Sequence, residues 1–344
     1  MDGVNRDCVL LSETPVIFIR SSSQPFALQL HVTEQCNLRC SHCYSESWTD
    51  DLSFDRFQSI ISQFKDILRI GKVEGTVYLT GGEPLLWPHL IRAIQHLIRE
   101  RLVPRVLTNG TLITKDIAHE LQKSKVRYVQ VSLDGMKSVH DSIRGPGSFE
   151  SATSGIELLV SAGIEVTVML TLMKRNLRDL ESLIELAESL GVKRVAFGRF
   201  IPLGNGCQID SENLSASEVN DAFERLERMS KNCLVEIVKR DPLWEIVEPS
   251  KNDFAGCSAG QLILDVLTDG TVYPCRRLPI EAGNVFDSSL LDIWISSPIM
   301  NRLRNRSNLA CNQCEKVLIC GGCRGVAFGE SGDAFSKDPH CFLS

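Results

Sequence analysis

Between residues 27 and 200, six short β-rich runs alternate with amphipathic stretches, and nothing else in this 344-residue sequence restricts its fold so tightly. The runs are Ala27–Val32, Thr76–Thr80, Arg105–Thr108, Val126–Leu133, Ile164–Leu170 and Arg194–Phe197. They are rich in Val, Leu and Ile and largely bounded by turn residues, the pattern of strands buried on both faces. Between the first two, Phe54, Phe57, Ile60, Ile61, Phe64, Ile67 and Leu68 recur at three- and four-residue spacing, one apolar stripe of a helix. Such repeats predict an α/β fold with a parallel sheet and right-handed crossovers. An open, partial (β/α)6 barrel and a doubly wound sheet both satisfy the pattern. In either, a ligand belongs at the carboxyl ends of the strands. A cysteine trio follows the first run, Gly81-Gly82-Glu83-Pro84 the second, Asn109 ends the third, and Ser132 and Asp134 end the fourth.

After Gly206 the pattern changes. Residues 215–230 read as a surface helix and Pro242–Asp253 as a connection. A hairpin follows, Leu262–Thr268 and Thr271–Pro274 around an Asp269-Gly270 turn. Leu290–Ile295 and Pro298–Leu303 read as short helices. The last thirty-odd residues are rich in Cys and Gly and poor in core formers, so bound metal should supply much of their ordering. The expected organisation is an N-terminal extension (1–25), a barrel (26–210), a helical linker (211–252) and a small cysteine-rich α+β domain (253–344).

Composition narrows the class. The formal charge is −6, with 43% apolar and 23% charged residues. That argues for a soluble globular protein and against one that coats nucleic acid or an anionic membrane. No run approaches the length of a membrane helix, and the first twenty residues do not read as a secretory signal, so the expected location is cytoplasmic. The thirteen cysteines are clustered: Cys36, Cys40 and Cys43, then seven from Cys257 to Cys341. Clustered thiols without an export signal point to metal rather than disulfides. Cys8, Cys207 and Cys233 stand apart and are expected as buried small hydrophobes, with Cys207 near the mouth of the barrel.

The first trio is a CxxxCxxC loop. Three thiolates can hold three irons of a cubane and leave the fourth open; a tetrahedral zinc site with His42 is the alternative. With an aromatic, Tyr44, after the third cysteine, and with Gly81-Gly82-Glu83-Pro84 after the next strand, the chain resembles the radical S-adenosylmethionine (radical SAM) superfamily. The resemblance implies a [4Fe-4S] cluster on Cys36, Cys40 and Cys43 that cleaves SAM to a 5′-deoxyadenosyl radical. It also implies SAM contacts from Gly81, Gly82, Glu83, Pro84, Asn109, Ser132 and Asp134, and from Arg144 in a His140-to-Gly145 segment. A flavodoxin or ferredoxin-type reductant would supply the electron.

Cys257 and Cys275 bracket the hairpin, and Cys311, Cys314, Cys320, Cys323 and Cys341 follow. With Gly283-Asn284-Val285 and Leu291-to-Trp294, this resembles the SPASM extension, which carries two auxiliary iron–sulfur clusters. By analogy, Cys311, Cys314, Cys320 and Cys341 complete a distal cluster. Cys257, Cys275 and Cys323 hold the nearer one, with one iron open or bound by another ligand. A pair of zinc sites is the alternative for the CxxC pairs. Arg276 and Arg277 follow Cys275, and Arg199 ends the sixth run; all three are expected at the mouth, where guanidiniums suit a carboxylate-bearing substrate. The leading expectation is an oxidoreductase/maturase that modifies a peptide or peptide-derived substrate, with a separate peptide-recognition protein as a further expected partner. The runner-up is decarboxylation or side-chain removal on a haem precursor or another small carboxylate. A non-catalytic iron–sulfur or zinc scaffold is the reading from another class.

Overall fold

The computed structural model describes residues 25–45, 50–249 and 256–343; Cys8 therefore lies outside the described residues. Six parallel strands form the centre: β1 (Phe26–Thr33), β2 (Gly75–Gly81), β3 (Val103–Thr108), β4 (Tyr128–Ser132), β5 (Glu165–Leu172) and β6 (Arg194–Arg199). The helices α1 (Phe54–Gly71), α2 (Leu90–Arg99), α3 (Lys115–Lys123), α4 (Lys137–Arg144), α5 (Ser148–Ser161) and α6 (Leu180–Ser189) lie between them. β1 to β6 pair in chain order, which bears out the partial (β/α)6 reading over a doubly wound sheet.

Local chemistry accounts for the elements. Ser53 caps α1 by accepting from the Arg56 amide, and Lys72, in the left-handed region at φ 51°, ends it. The apolar stripe is buried as its spacing predicts. On β1, Phe26, Leu28, Leu30 and Val32 are fully buried and alternate with Gln29, His31 and Thr33, so one face meets the helices and the other lines the interior. Phe26 packs against Phe64 at 5.9 Å and edge-on to Trp294 at 4.8 Å. That trio ties the C-terminal region to the barrel, each ring contributing roughly 1.5–3 kcal/mol of apolar burial.

The sheet is wider than the repeats suggest. Helix α7 (Ala216–Ser230) is followed by β7 (Glu236–Val238), which pairs parallel to β6 inside the stretch expected to be a helical linker. At the other side, β8 (Ile263–Val266) and β9 (Thr271–Tyr273) form the expected hairpin, with β10 (Gly283–Asn284) against β9. β8 pairs parallel to β1, with Leu264 opposite Leu28. The cysteine-rich region is thus built onto the barrel's own sheet, in the order β10-β9-β8-β1-β2-β3-β4-β5-β6-β7. An open sheet exposes unpaired edges, and both additions cover one. Among the described residues no helix is long and apolar enough to cross a membrane.

Candidate active site

The CxxxCxxC loop leaves β1 and is held against the ends of β2 and β3. The Gly82 amide donates to Thr33 O at 2.8 Å and the Glu83 amide to Gln35 O at 2.7 Å. Gly81 has φ +132°, and a Cβ there would stand 2.0 Å from Thr33 O; one on Gly82 would stand 2.2 Å from Gln35 O. The glycines are thus required by the chain's own backbone, which enters the cysteine loop through this contact. Glu83 is fully buried. Its carboxylate accepts from the Thr108 hydroxyl (2.7 Å), the Asn109 amide (2.8 Å) and the Leu85 amide (3.2 Å). Burial raises its pKa, against the pull of those bonds. Here the carboxylate braces the β3 end, a task the sequence reading did not give it. Pro84 begins the 3-10 turn that follows.

Asn109, so braced, reaches the loop: its Nδ2 is 2.9 Å from Asn37 Oδ1 and 4.0 Å from Cys36 Sγ. On the other flank Arg144 Nη1 lies 3.9 Å from Cys40 Sγ, while its Nε donates to Asp134 at 2.6 Å. Asp134 is fully buried. Against the cost of burial, Arg144 and His42 hold its carboxyl far below the usual range. The Asp134–Arg144 pair is therefore an internal clamp. His42 Nε2 is 3.0 Å from the same carboxylate, which fixes the ring while leaving its Nδ1 without a partner. Ser132 ends β4, half-buried on the same rim.

The residues present fit an iron–sulfur cluster and SAM. Burial pushes the Cys40 thiol up to about 11 and raises Cys36. Cys40 also feels the charges of Cys43 and Cys36, so the three thiols are neighbours. Thiols gathered this way, with no disulfide, need a cationic partner to ionise. Around them the Tyr44 hydroxyl, Ser41 Oγ, His42 Nδ1 and Arg276 Nε are buried without a partner, polar atoms suited to a zwitterionic nucleotide. Among the described residues no three His, Cys, Asp or Glu side chains gather as a single-ion site; a cubane takes its thiolates on separate irons.

The C-terminal cysteines fall into two groups. Cys311, Cys314, Cys320 and Cys341 line one small cavity with Gly321 and Gly322. Cys275, pushed up to about 12 by burial, feels Cys257 and Cys323. Burial also lifts Cys320 to about 12.

The three arginines separate. Arg276 turns toward the first cysteine loop, 4.6 Å over the Tyr44 ring and 3.3 Å from Thr80 Oγ1. Burial lowers its pKa to about 10, with Cys43 and Glu34 raising it. Arg277 donates to Arg199 O at 2.7 Å and lies near Cys275 and Cys323. Arg199 corrects the expectation of a substrate contact. It is buried, with Nε and Nη2 on Asp241 (2.8 and 3.0 Å) and Nη1 and Nη2 on Asp338 (2.9 and 2.8 Å). Four of its five N–H donors are taken by these two buried carboxylates, which neutralise its charge and leave it unable to grip a third in two-pronged fashion. Asp338 also accepts the Cys323 amide at 2.8 Å, so this bridge joins the end of β6 to a cysteine of the C-terminal region. Cys207 is a second correction: it is exposed, its thiol 3.1 Å from Pro202 O, and Cys233 is only half-buried.

Sequence reasoning missed His31, which lies between Glu34 (3.4 Å) and Asp265 (3.5 Å), all three buried. Burial alone would lower its pKa; the Asp265 carboxylate, with Glu34 on the other side of the ring, outweighs that and raises it to about 9. The signal was available: Gln29, His31 and Thr33 interrupt β1 at every second position.

Residues 30–187 match the radical SAM superfamily, and residues 257–316 match the SPASM iron-sulfur cluster-binding domain. An AdoMet-dependent heme synthase of Methanosarcina barkeri is 29% identical, over 94% of this chain and 98% of that protein. The mycofactocin maturase MftC of Mycobacterium tuberculosis is 28% identical, over 94% and 84%. Among solved structures, SuiB of Streptococcus suis bound to S-adenosylmethionine superposes with a TM-score of 0.75 at 18% identity, over 93% of this chain and 77% of that one. AdoMet-bound anSMEcpe gives 0.75 at 21%, over 92% and 94%. At these identities the structures share the fold.

Proposed function

We propose, from the premise that this chain is a radical SAM enzyme with a C-terminal SPASM domain, that it abstracts hydrogen from a carboxylate-bearing substrate, a haem precursor whose propionate is oxidatively decarboxylated. The observation that carries the first half is the convergence of Asn109, Arg144 and Arg276 on the CxxxCxxC loop. In this reading Cys36, Cys40 and Cys43 ligate the [4Fe-4S] cluster. Cys311, Cys314, Cys320 and Cys341 ligate one auxiliary cluster, and Cys257, Cys275 and Cys323 the other. When bound, the first cluster and SAM supply a 5′-deoxyadenosyl radical.

The chain's own residues orient and shield. Gly81 and Gly82 bring the loop against β2, and Glu83 fixes Asn109. Asp134 aims Arg144, whose remaining donors suit the SAM carboxylate. Buried Arg276 keeps its charge at neutral pH and offers a substrate carboxylate an anchor beside the loop. A flavodoxin or ferredoxin-type reductant supplies the electron.

Haem precursors are favoured by relatives named as heme synthases, aligned over nearly their whole length. A second reading, modification of a peptide, is favoured by similar coverage of the mycofactocin maturase. The test is anaerobic reconstitution with iron and sulfide, then dithionite and SAM. The expected product is 5′-deoxyadenosine, accompanied with Fe-coproporphyrin III by products short of one carbon dioxide and two hydrogens per propionate. No 5′-deoxyadenosine overturns the enzyme reading. 5′-Deoxyadenosine with an unchanged tetrapyrrole overturns the substrate and turns attention to peptides.

A further inference from the structure

The interior of the open barrel carries a guanidinium that no motif announces. Toward the amino ends of the strands, Tyr78, Arg105, Tyr128, Gln130, Thr167 and Arg194 line an open cavity. Arg194 is neutralised, its Nε 2.9 Å from Glu236 and its Nη2 3.1 Å from Glu165. Arg105 is not: among the described residues it has no carboxylate partner, and its Nε is buried with none at all. Two aromatic faces hold it instead, Tyr128 at 4.6 Å and Tyr78 at 5.6 Å. Stacking engages the plane of a guanidinium and leaves its edge N–H groups free. A buried, unpaired donor is costly unless a ligand completes it.

The second observation is its spacing from Arg276. That side chain, whose Nε is also unpartnered, donates to Thr80. Thr80 and Tyr78 are two residues apart on β2, so they share a face at about 6.5 Å along the strand. Two guanidiniums without carboxylate partners thus contact neighbouring positions on one face of β2, Arg276 at Thr80 beside the cysteine loop and Arg105 at Tyr78 toward the amino ends.

We propose that Arg105 and Arg276 grip two carboxylates of one substrate molecule, Arg276 the one beside the reacting carbon and Arg105 one farther down the lumen. This rests on the haem-precursor reading and deepens it, because it selects a di- or polycarboxylate over a monocarboxylate. Arg105 is then a specificity residue that holds substrate and takes no part in SAM cleavage.

The test is a Soret titration of the reconstituted holoenzyme with Fe-coproporphyrin III, a tetracarboxylate. Arg105→Gln should weaken binding about tenfold or more, and Arg105→Lys should restore part of it. Uncoupled 5′-deoxyadenosine formation and the iron content should stay at wild-type values in both. Equal binding by wild type and Arg105→Gln overturns the subsite while leaving the reaction class intact. So does a loss that the thermal melt tracks in parallel and Arg105→Lys does not relieve, which marks Arg105 as structural. Failure of the wild type to bind, with 5′-deoxyadenosine still formed, overturns the substrate reading and the subsite with it.

Discussion

Replacing Arg199 by Met should damage this fold more than any surface substitution. The side chain is wholly buried, and so, to within a few per cent, are Asp241 and Asp338. Removing it leaves two uncompensated carboxylates in the interior, a loss of about 3–5 kcal/mol. At about 2 °C per kcal/mol for a chain this large, the melting temperature should fall by roughly 6–10 °C. The pH dependence gives a second check. Burial would raise the Asp338 carboxyl, but Arg199 and the Cys323 and His340 amides hold it down to about 2. That depressed value contributes stability above the unfolded pKa near 3.8 and loses it as pH falls toward 2. Without Arg199, burial dominates and the Asp338 carboxylate takes up a proton at higher pH, so the gap between variant and wild type should narrow from pH 7 to pH 5.5. Neutralising all three, Arg199→Met with Asp241→Asn and Asp338→Asn, should recover most of the loss. The assay is anaerobic thermal melting of the holoprotein by circular dichroism. A fall below about 2 °C at pH 7, the size of an exposed pair, or a gap indifferent to pH, would refute the reasoning.

Three further outcomes are expected. Gly82→Ala would press a Cβ onto the backbone of Glu34 and Gln35, so iron per chain should fall by roughly four while the C-terminal clusters persist; full iron content would contradict the role given to that contact. Asp134→Asn removes the charge that aims Arg144, and the KM for SAM should rise about tenfold with iron content unchanged, as 5′-deoxyadenosine kinetics would measure. His31 has a folded pKa raised to about 9, so its contribution is fully present below about pH 6.5 and lost as pH rises through 9. Chemical unfolding at pH 7 and 9.5 should therefore show a larger loss in wild type than in His31→Gln; equal losses would sink it.

Much of this architecture can be read from the chain because its signals are local. Phe54 to Leu68 carry their helix in their spacing, and the motifs at Gly81, Asn109 and Asp134 follow directly from strand ends. What could not be read was non-local. β7 is three residues long and is recognised only by its partner β6. The hairpin's β8 reads the same whether it stands alone or pairs with β1. Arg199 lies at a strand end, where an arginine suggests a mouth, and its partners arrive 42 and 139 residues later. Arg105 sits mid-strand in an apolar run, and only the closing of Tyr78 and Tyr128 around it gives that charge a meaning.

Low-temperature electron paramagnetic resonance of the dithionite-reduced holoenzyme, with and without SAM, tests the central assignment most directly. A [4Fe-4S] component whose g-values move on adding SAM should appear in wild type and vanish in Cys36→Ala/Cys40→Ala/Cys43→Ala, while the remaining signal ignores SAM. A SAM-sensitive component that survives loss of those three thiols, or none in the intact protein, would contradict the account.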